Sequence, residues 1–360
     1  MKTGISLYPG LSGTAEEHIQ LLEKAAAAGI TRLFTSLHIP ETDNTALRKE
    51  LHCLLAKAKQ YNMDVIADVS PQTAESLGIS SLHPQQLLDL GITTARLDYG
   101  FDVRKTALFS HVMNIQLNAS TVQPSYIADL RAAGADFSHI DSLHNFYPRP
   151  HTGLSESFFS SHTKWLQQEG LSVGAFIPSQ HGRRGPLYEG LPTLEDHRRT
   201  NVSLAARHLC ALGVQSVFIG DSQPSDDELA DLAAAGREEK DVIVLKARLY
   251  SKEPWVRDFL SYTFTSRLDQ SRDMIRTQES RSHVSGSITA DDDCPRRPLQ
   301  RGDITIDTAS YLRYMGEAAI ITTPLPADEK TMIAAQILPE EQFLLSYITP
   351  GKRFRLVFVR

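Results

Sequence analysis

The sequence predicts an α/β protein whose first two thirds form a (β/α)₈ TIM barrel and whose last third is a small, mostly β domain. Two observations carry the barrel. First, a helical segment repeatedly ends at a glycine and a short β-rich run follows. Gly29 precedes Ile30–Ser36, Gly91 precedes Ile92–Asp98, Gly134 precedes Ala135–Leu143, Gly170 precedes Leu171–Ile177 and Gly213 precedes Val214–Ile219. Glycine just past a helix end adopts the left-handed cap that stops the helix and redirects the chain. Second, the apolar runs Thr3–Tyr8, Met63–Val69 and Met113–Leu117 complete a set of eight strands. Eight strand–helix units in about 235 residues is the length of a closed barrel, and this spacing favours closure over an open doubly wound sheet.

Between the strands, Ala15–Ala28, Leu47–Gln60 and Leu194–Leu212 carry helical periodicity, and Thr14 with Glu17 makes a capping box for the first helix. The pattern changes at the charged joint Arg-Glu-Glu-Lys-Asp near 237–245. Short strands follow at Val242–Leu249, Tyr262–Arg267, Asp303–Ile306, Ala318–Thr322, Thr331–Ile337 and Phe354–Val359, and 285–302 reads as a loop. The expected domains are a catalytic barrel over 1–237 and a β domain, a small barrel, over 243–360.

At 360 residues, 41% hydrophobic and 22% charged, the composition is that of a soluble globular protein. A net charge of −6 argues against nucleic-acid binding. No run of about 18 apolar residues is present to span a membrane, and the N-terminus lacks a signal-peptide core. Cys53, Cys210 and Cys294 are odd in number and form no Cys-x-x-Cys, as in a reducing compartment. A cytoplasmic location is therefore expected. The histidines show neither His-x-His nor His-Glu-x-x-His spacing, and there is no P-loop or dinucleotide fingerprint, so no metal or cofactor is expected.

Barrel active sites lie at the C-terminal strand ends. Those ends carry Ser6 and Tyr8, Thr35 and Ser36, Asp68 and Ser70, Arg96 and Asp98, Asn118 and Ser120, His144 and Asn145, Pro178 and Gln180, and Asp221. Any one of these alone is equally well explained as a cap for the next helix. A polar group at all eight ends is harder to dismiss. The densest stretch is His144–Ser155, where Pro148 and Pro150 enforce a stiff extended loop bearing Asn145, Tyr147 and Arg149. Three carboxylates, Asp68, Asp98 and Glu189, are candidates for the acid and base or nucleophile of glycoside hydrolysis, the alternative for each being a salt bridge or helix cap. Arg149, Arg183 and Arg184, with His151 and His181 beside them, have the fork geometry that grips phosphate or carboxylate, if they are not simply solvated.

Several segments then resemble a known family. They are Gly-Ile-Ser-Leu-Tyr-Pro at 4–9, Arg-Leu-Phe-Thr-Ser-Leu at 32–37, Asp-Val-Ser-Pro at 68–71, Arg-Leu-Asp-Tyr-Gly-Phe at 96–101, His-Asn-Phe-Tyr-Pro-Arg-Pro-His-Thr-Gly-Leu at 144–154 and Arg-Gly-Pro-Leu-Tyr-Glu-Gly-Leu-Pro-Thr-Leu-Glu at 184–195. Arg-Gly-Asp-Ile-Thr-Ile-Asp at 301–307 and Tyr-Leu-Arg-Tyr-Met-Gly-Glu at 311–317 extend the match. Together they resemble the bacterial 6-phospho-N-acetylmuramidase family. The segment 285–297, with its Asp triplet, departs from the family's motifs.

The resemblance implies a TIM barrel followed by a cyclophilin-like β-barrel. It also implies hydrolysis of the β-1,4 bond of N-acetylmuramic acid 6-phosphate–N-acetylglucosamine during peptidoglycan recycling. On this reading Asp98 is the acid, Glu189 the nucleophile or base, and Asp68 the reserve. Arg149, Arg183 and Arg184 hold the phosphate and lactyl carboxylate, Asn118 and Asn145 the hydroxyls or acetamido group, and Tyr147 stacks on a ring. Tyr8, His144 and Asp221 complete the substrate contacts. Arg267, Asp269 and Arg272 either reach over from the second domain or form an ordinary charged surface. The partner expected is a small phosphosugar, with no nucleic acid and no membrane. The rivals are a phosphosugar isomerase or aldolase, which needs a strand-end lysine or a metal, and a non-catalytic sugar or peptide binder.

Overall fold

The structure, a computed structural model, describes residues 1–11, 13–37, 44–70, 73, 82–97 and 101–359. It divides into two compact units, Met1–Arg237 and Glu238–Arg360.

In the first unit the described residues form eight parallel strands: β1 (Lys2–Ser6), β2 (Arg32–Ser36), β3 (Asp64–Val69), β4 (Thr94–Leu97), β5 (Asn114–Asn118), β6 (Ile140–Leu143), β7 (Val173–Ile177) and β8 (Ser216–Ile219). They pair in chain order, and β8 returns to β1 through Lys2↔Ser216 to Ile5↔Ile219. That last ladder closes the barrel and eliminates the open-sheet alternative. A helix follows each strand: α1 (Ala15–Ala28), α2 (Asn44–Gln60), α3 (Pro84–Leu90), α4 (Val103–Ser110), α5 (Pro124–Ala132), α6 (Glu156–Gln168), α7 (Val202–Ala211) and α8 (Asp226–Arg237). The capping box opens α1, with Glu17 N–H donating to Thr14 Oγ1 and Thr14 N–H to the Glu17 carboxylate. Gly29 ends α1 in the left-handed region, at φ 90°.

Some boundaries move. β6 begins at Ile140, because Asp136 accepts from Ser138 N–H and winds Phe137–His139 into a 3₁₀ turn. The helical stretch read over Leu194–Leu212 splits into a 3₁₀ turn, Glu195–His197, and α7, which restarts where Asn201 Oδ1 accepts from Leu204 N–H.

Strand alternation sorts the barrel's side chains into two sets. Ile5, Leu33, Val65, Ala95, Ile115 and Val217 pack outward against the helices. The inward set is layered. Near the bottom, Arg32 of β2 reaches across to Asp141 of β6 (3.1 Å), whose other oxygen accepts from Gln116 (2.8 Å). Above them Tyr8, Phe34, Phe176 and Phe218 form an aromatic layer, with Phe34 and Phe176 edge to face at 5.1 Å.

The second unit is a seven-stranded sheet in the order β10 (Thr263–Thr265), β15 (Arg353–Val359), β9 (Val242–Leu249), β14 (Thr331–Ile337), β12 (Asp303–Asp307), β13 (Ala318–Ile321) and β11 (Met274–Arg276). The β9–β15 pair is parallel and the other pairs are antiparallel. The edge strands β10 and β11 meet at the bridge Ser266↔Thr277, so the sheet curls round until its edges touch. β11 lies in the polar Ser/Arg/Asp stretch that follows Arg267, and its pairing with β13 makes it a strand. The 285–302 loop is tied down by Arg297, which grips the fully buried Asp303 at 2.7 and 2.9 Å. No helix among the described residues is long and apolar enough to cross a membrane.

Candidate active site

At the C-terminal rim of the barrel, the alternation that points Phe34 and Ile66 inward continues upward to Asp68 and Arg96. Arg96 is buried, and its two terminal nitrogens reach different partners: Nη1 donates to Asp68 Oδ1 (2.6 Å) and Nη2 to Asn145 Oδ1 (2.5 Å). β4 thus links the ends of β3 and β6 through one guanidinium. Asn145 is itself fixed at both backbone groups: its N–H donates to Ser120 Oγ (2.9 Å) and its carbonyl accepts from Thr193 Oγ1 (2.8 Å).

Arg184, in the loop after β7, lies with its guanidinium carbon 4.4 Å from the centroid of the Tyr8 ring and 5.1 Å from that of Phe146. No carboxylate among the described residues pairs with it. An arginine held over two ring faces keeps its fork available to an oxyanion. Tyr8 serves it as a platform: the ring is fully buried, its hydroxyl donates to the Gly220 carbonyl (2.8 Å), and burial holds its pKa far above the usual phenol range. The hydroxyl of Tyr8, a residue expected among the substrate contacts, is thus bonded to the barrel's own backbone. Asp221, likewise expected among the substrate contacts, is held by backbone donors of the neighbouring loop. It is fully buried and accepts N–H bonds from Ser179 (2.9 Å), Arg184 (2.9 Å) and Leu191 (3.2 Å), so it shapes the loop that carries Arg184. Burial raises its pKa, and those three donors act against the rise.

The proline-bounded loop is stapled from the next crossover. Arg198, nearly buried, forks onto Glu195 with both bonds at 2.7 Å and donates to the carbonyls of Tyr147 (3.0 Å), Arg149 (3.2 Å) and Gly190 (3.2 Å). Glu195 in turn accepts the N–H groups of His151 (2.9 Å) and Gly153 (2.7 Å). A Cβ on Gly153 would stand 2.6 Å from Glu195 Oε2, so glycine is what lets this backbone approach. Sequence reading assigned neither Glu195 nor Arg198 a role. Their separation of three residues was the only local signal.

Hydrogen bonds from Arg198 hold the Glu195 carboxyl down at about 2. A depressed carboxylate pKa contributes stability that is complete above the unfolded value near 4.5 and is lost as pH falls toward 2. Glu195→Gln is therefore expected to narrow the loss of urea stability between pH 6 and pH 3. Equal losses in both proteins would remove the staple from the account.

His144 is fully buried, with Nδ1 3.1 Å from Ser120 Oγ and Nε2 3.1 Å from Thr163 Oγ1. Burial lowers its pKa to about 3, so it stays neutral. It props Ser120, which carries Asn145, and its two ring nitrogens, expected to face substrate, are both engaged within the protein.

The other expected site residues are scattered in role. Glu189 pairs with the exposed Arg199 (2.9 Å). Arg183 is committed to Gln180 Oε1 (2.6 Å) and to the carbonyls of Ser179 and Arg198. Tyr147 is half-buried, its N–H bonded to the Pro192 carbonyl, while Arg149 is exposed. Asn118 Oδ1 accepts from Ser120 N–H (3.1 Å) beside a cavity of about 250 Å³ lined by Phe101 and Tyr126. Asp98 lies outside the described residues. In the second unit Arg267 forks onto Asp269 at 2.7 and 2.9 Å, and Arg272 pairs with its neighbour Asp273. Among the described residues no three His, Cys, Asp or Glu side chains converge as metal ligands.

A closed parallel barrel whose C-terminal rim holds an ion-paired carboxylate and an amide, with an unneutralised arginine over an aromatic floor, has the layout used by (β/α)₈-barrel enzymes. Family models for the N-terminal and C-terminal parts of 6-phospho-N-acetylmuramidase match residues 3–234 and 243–357. The chain belongs to the 6-phospho-N-acetylmuramidase family, by its name a family of glycosidases. A crystal structure of a conserved Enterococcus faecalis protein of unknown function is 35% identical, with 99% of this chain and 96% of that one covered and a TM-score of 0.73. An uncharacterized B. cereus protein is 30% identical over 99% of both chains, with a TM-score of 0.83. Comparison with curated proteins returns no match.

Proposed function

We propose that the protein hydrolyses the β-1,4 bond of N-acetylmuramic acid 6-phosphate–N-acetylglucosamine, inside the cell, in peptidoglycan recycling. The observation that carries this reading is Arg184, spread over Tyr8 and Phe146 with no carboxylate partner among the described residues, at a rim that also holds the Asp68–Arg96–Asn145 chain. A phosphorylated, carboxylate-bearing sugar supplies the oxyanion that Arg184 lacks. The family match over both units supports the same substrate class.

In this reading Asp98 protonates the leaving oxygen, and Asp68 is the anionic partner that attacks the anomeric carbon or activates water. Asp68 takes that role ahead of Glu189 because its ion pair with the buried Arg96 suits a carboxylate that works ionised, whereas Glu189 is paired with an exposed arginine. Asn145, oriented by Arg96, holds the sugar's hydroxyl or acetamido group, and Arg184 grips an anionic substituent. Arg149, exposed on the stapled loop, adds a second cation.

The test is product release from the purified protein. The phosphorylated muramyl disaccharide is expected to yield N-acetylglucosamine, and its dephosphorylated counterpart to yield little. Recovery of the phosphorylated disaccharide bound but intact would sink the hydrolase reading.

A further inference from the structure

The second unit contains a cavity of about 250 Å³ where the curled sheet closes on itself. Its position follows from the seam. The bridge Ser266↔Thr277 joins the two edges, and Arg267 N–H donates to the Arg276 carbonyl at 3.0 Å. Arg267 and Arg276 therefore face each other across the join, and both line the cavity together with Arg301. Three arginines thus line a cavity whose wall itself supplies one carboxylate, Asp269.

The way each charge is held distinguishes this cluster from a solvated charged surface. Arg301 donates to the Thr322 and Gln342 carbonyls (3.0 and 3.1 Å), and no carboxylate among the described residues pairs with it. Carbonyl dipoles orient that cation without neutralising it. Arg276 bonds Glu317, but Glu317 is shared with Arg281. Arg267 meets Asp269 in the two-bond fork that guanidinium also offers to phosphate. Asp269 itself is 63% exposed in its side chain and stands two residues from Arg267 on the same turn, so it can swing aside into water.

We propose that this seam is an anion site for a phosphate monoester of monosaccharide size, with Asp269 as an internal plug that the ligand's phosphate displaces from Arg267. The dianionic phosphate brings three acceptor oxygens to three guanidinium groups, which a single carboxylate cannot match. The volume, on the order of eight waters at about 30 Å³ each, admits one phosphorylated sugar. The site shares no residue with the barrel rim, so its test and the hydrolysis assay fail independently.

The full chain carrying Arg184→Gln, which removes the barrel's unpaired arginine, is titrated calorimetrically with glucose 6-phosphate, inorganic phosphate and glucose. Glucose 6-phosphate is expected to bind at one site per chain and glucose not at all. Arg267→Gln added to that background is expected to weaken binding at least about tenfold, the loss of one charge-assisted fork. This change removes a half-buried guanidinium from its fork with Asp269, which keeps its contact with Arg276 (3.8 Å), and an unchanged melting temperature will show that the fold survives. Asp269→Asn is expected to tighten binding several-fold, the opposite sign from the loss of a merely structural ion pair. Absence of binding in the Arg184→Gln background, indifference to Arg267→Gln, or weaker binding in Asp269→Asn would each overturn the site. Inorganic phosphate binding as tightly as the ester would overturn the monosaccharide assignment.

Discussion

Asp68→Asn is expected to lower kcat on the phosphorylated disaccharide by about a thousandfold or more, the scale at which one essential charged group is removed from a hydrolase. The amide is nearly isosteric and keeps an oxygen able to accept from Arg96, so the 2.6 Å contact and the Asn145 contact beyond it can persist. What disappears is the negative charge. Arg96 is then a buried cation without its counter-charge, and stability should fall by up to about 3–5 kcal/mol. Activity must therefore be read at a temperature where the variant is shown to be folded, with substrate affinity measured separately. Affinity held within a few-fold while kcat collapses is the pattern of a group that acts in the transition state. Glu189→Gln is the internal comparison and is expected to cost less than about tenfold, since it breaks only a pair with the exposed Arg199. If Glu189→Gln is the more damaging of the two, the anionic role belongs to Glu189.

Arg184→Gln is expected to raise KM for the 6-phosphorylated substrate about a hundredfold and to leave the weak activity on the unphosphorylated disaccharide unchanged. Removing one partner of a desolvated charged contact is worth about 2–5 kcal/mol, and 1.4 kcal/mol is tenfold. Arg184→Lys should recover only part of the loss, because an ammonium cannot lie flat over Tyr8 and Phe146 while presenting a fork. A pH dependence follows from the ligand. The phosphate monoester loses its second charge below about pH 6, so the wild-type advantage over Arg184→Gln should shrink as pH falls through that value. Equal losses on phosphorylated and unphosphorylated substrates would show that Arg184 supports the fold and does not read the phosphate.

The architecture was legible because it rests on local chemistry repeated many times. Glycine caps, a capping box at Thr14 and Glu17, and apolar runs of strand length recur with a period that a barrel requires. Boundaries were legible only to within a few residues. At β6 and before α7, single side chains, Asp136 and Asn201, decided where the backbone turned. At the rim, residue type and position marked Asp68 and Asn145 at strand ends and Arg184 in a loop, but not how their polar atoms are partnered. Tyr8, His144 and Asp221 were marked by the same rule, yet their polar atoms are spent on Gly220, Ser120 with Thr163, and backbone donors respectively. A strand-end position does not say whether a side chain faces the cavity or a neighbouring loop.

Sequence by itself determined the succession of strands and helices and the family, because each depends on residue order alone. Only the tertiary structure decided how the charges are partnered. Arg96 joins residues 28 and 49 positions away, and Arg198 ties down carbonyls 51 and 49 positions back. Such pairings depend on the strand register and loop paths that closure imposes, and the energy of a charge depends on burial and neighbours that no local window contains. That is why the arginine left over an aromatic floor, and the one plugged by its own aspartate, became visible only in the folded chain.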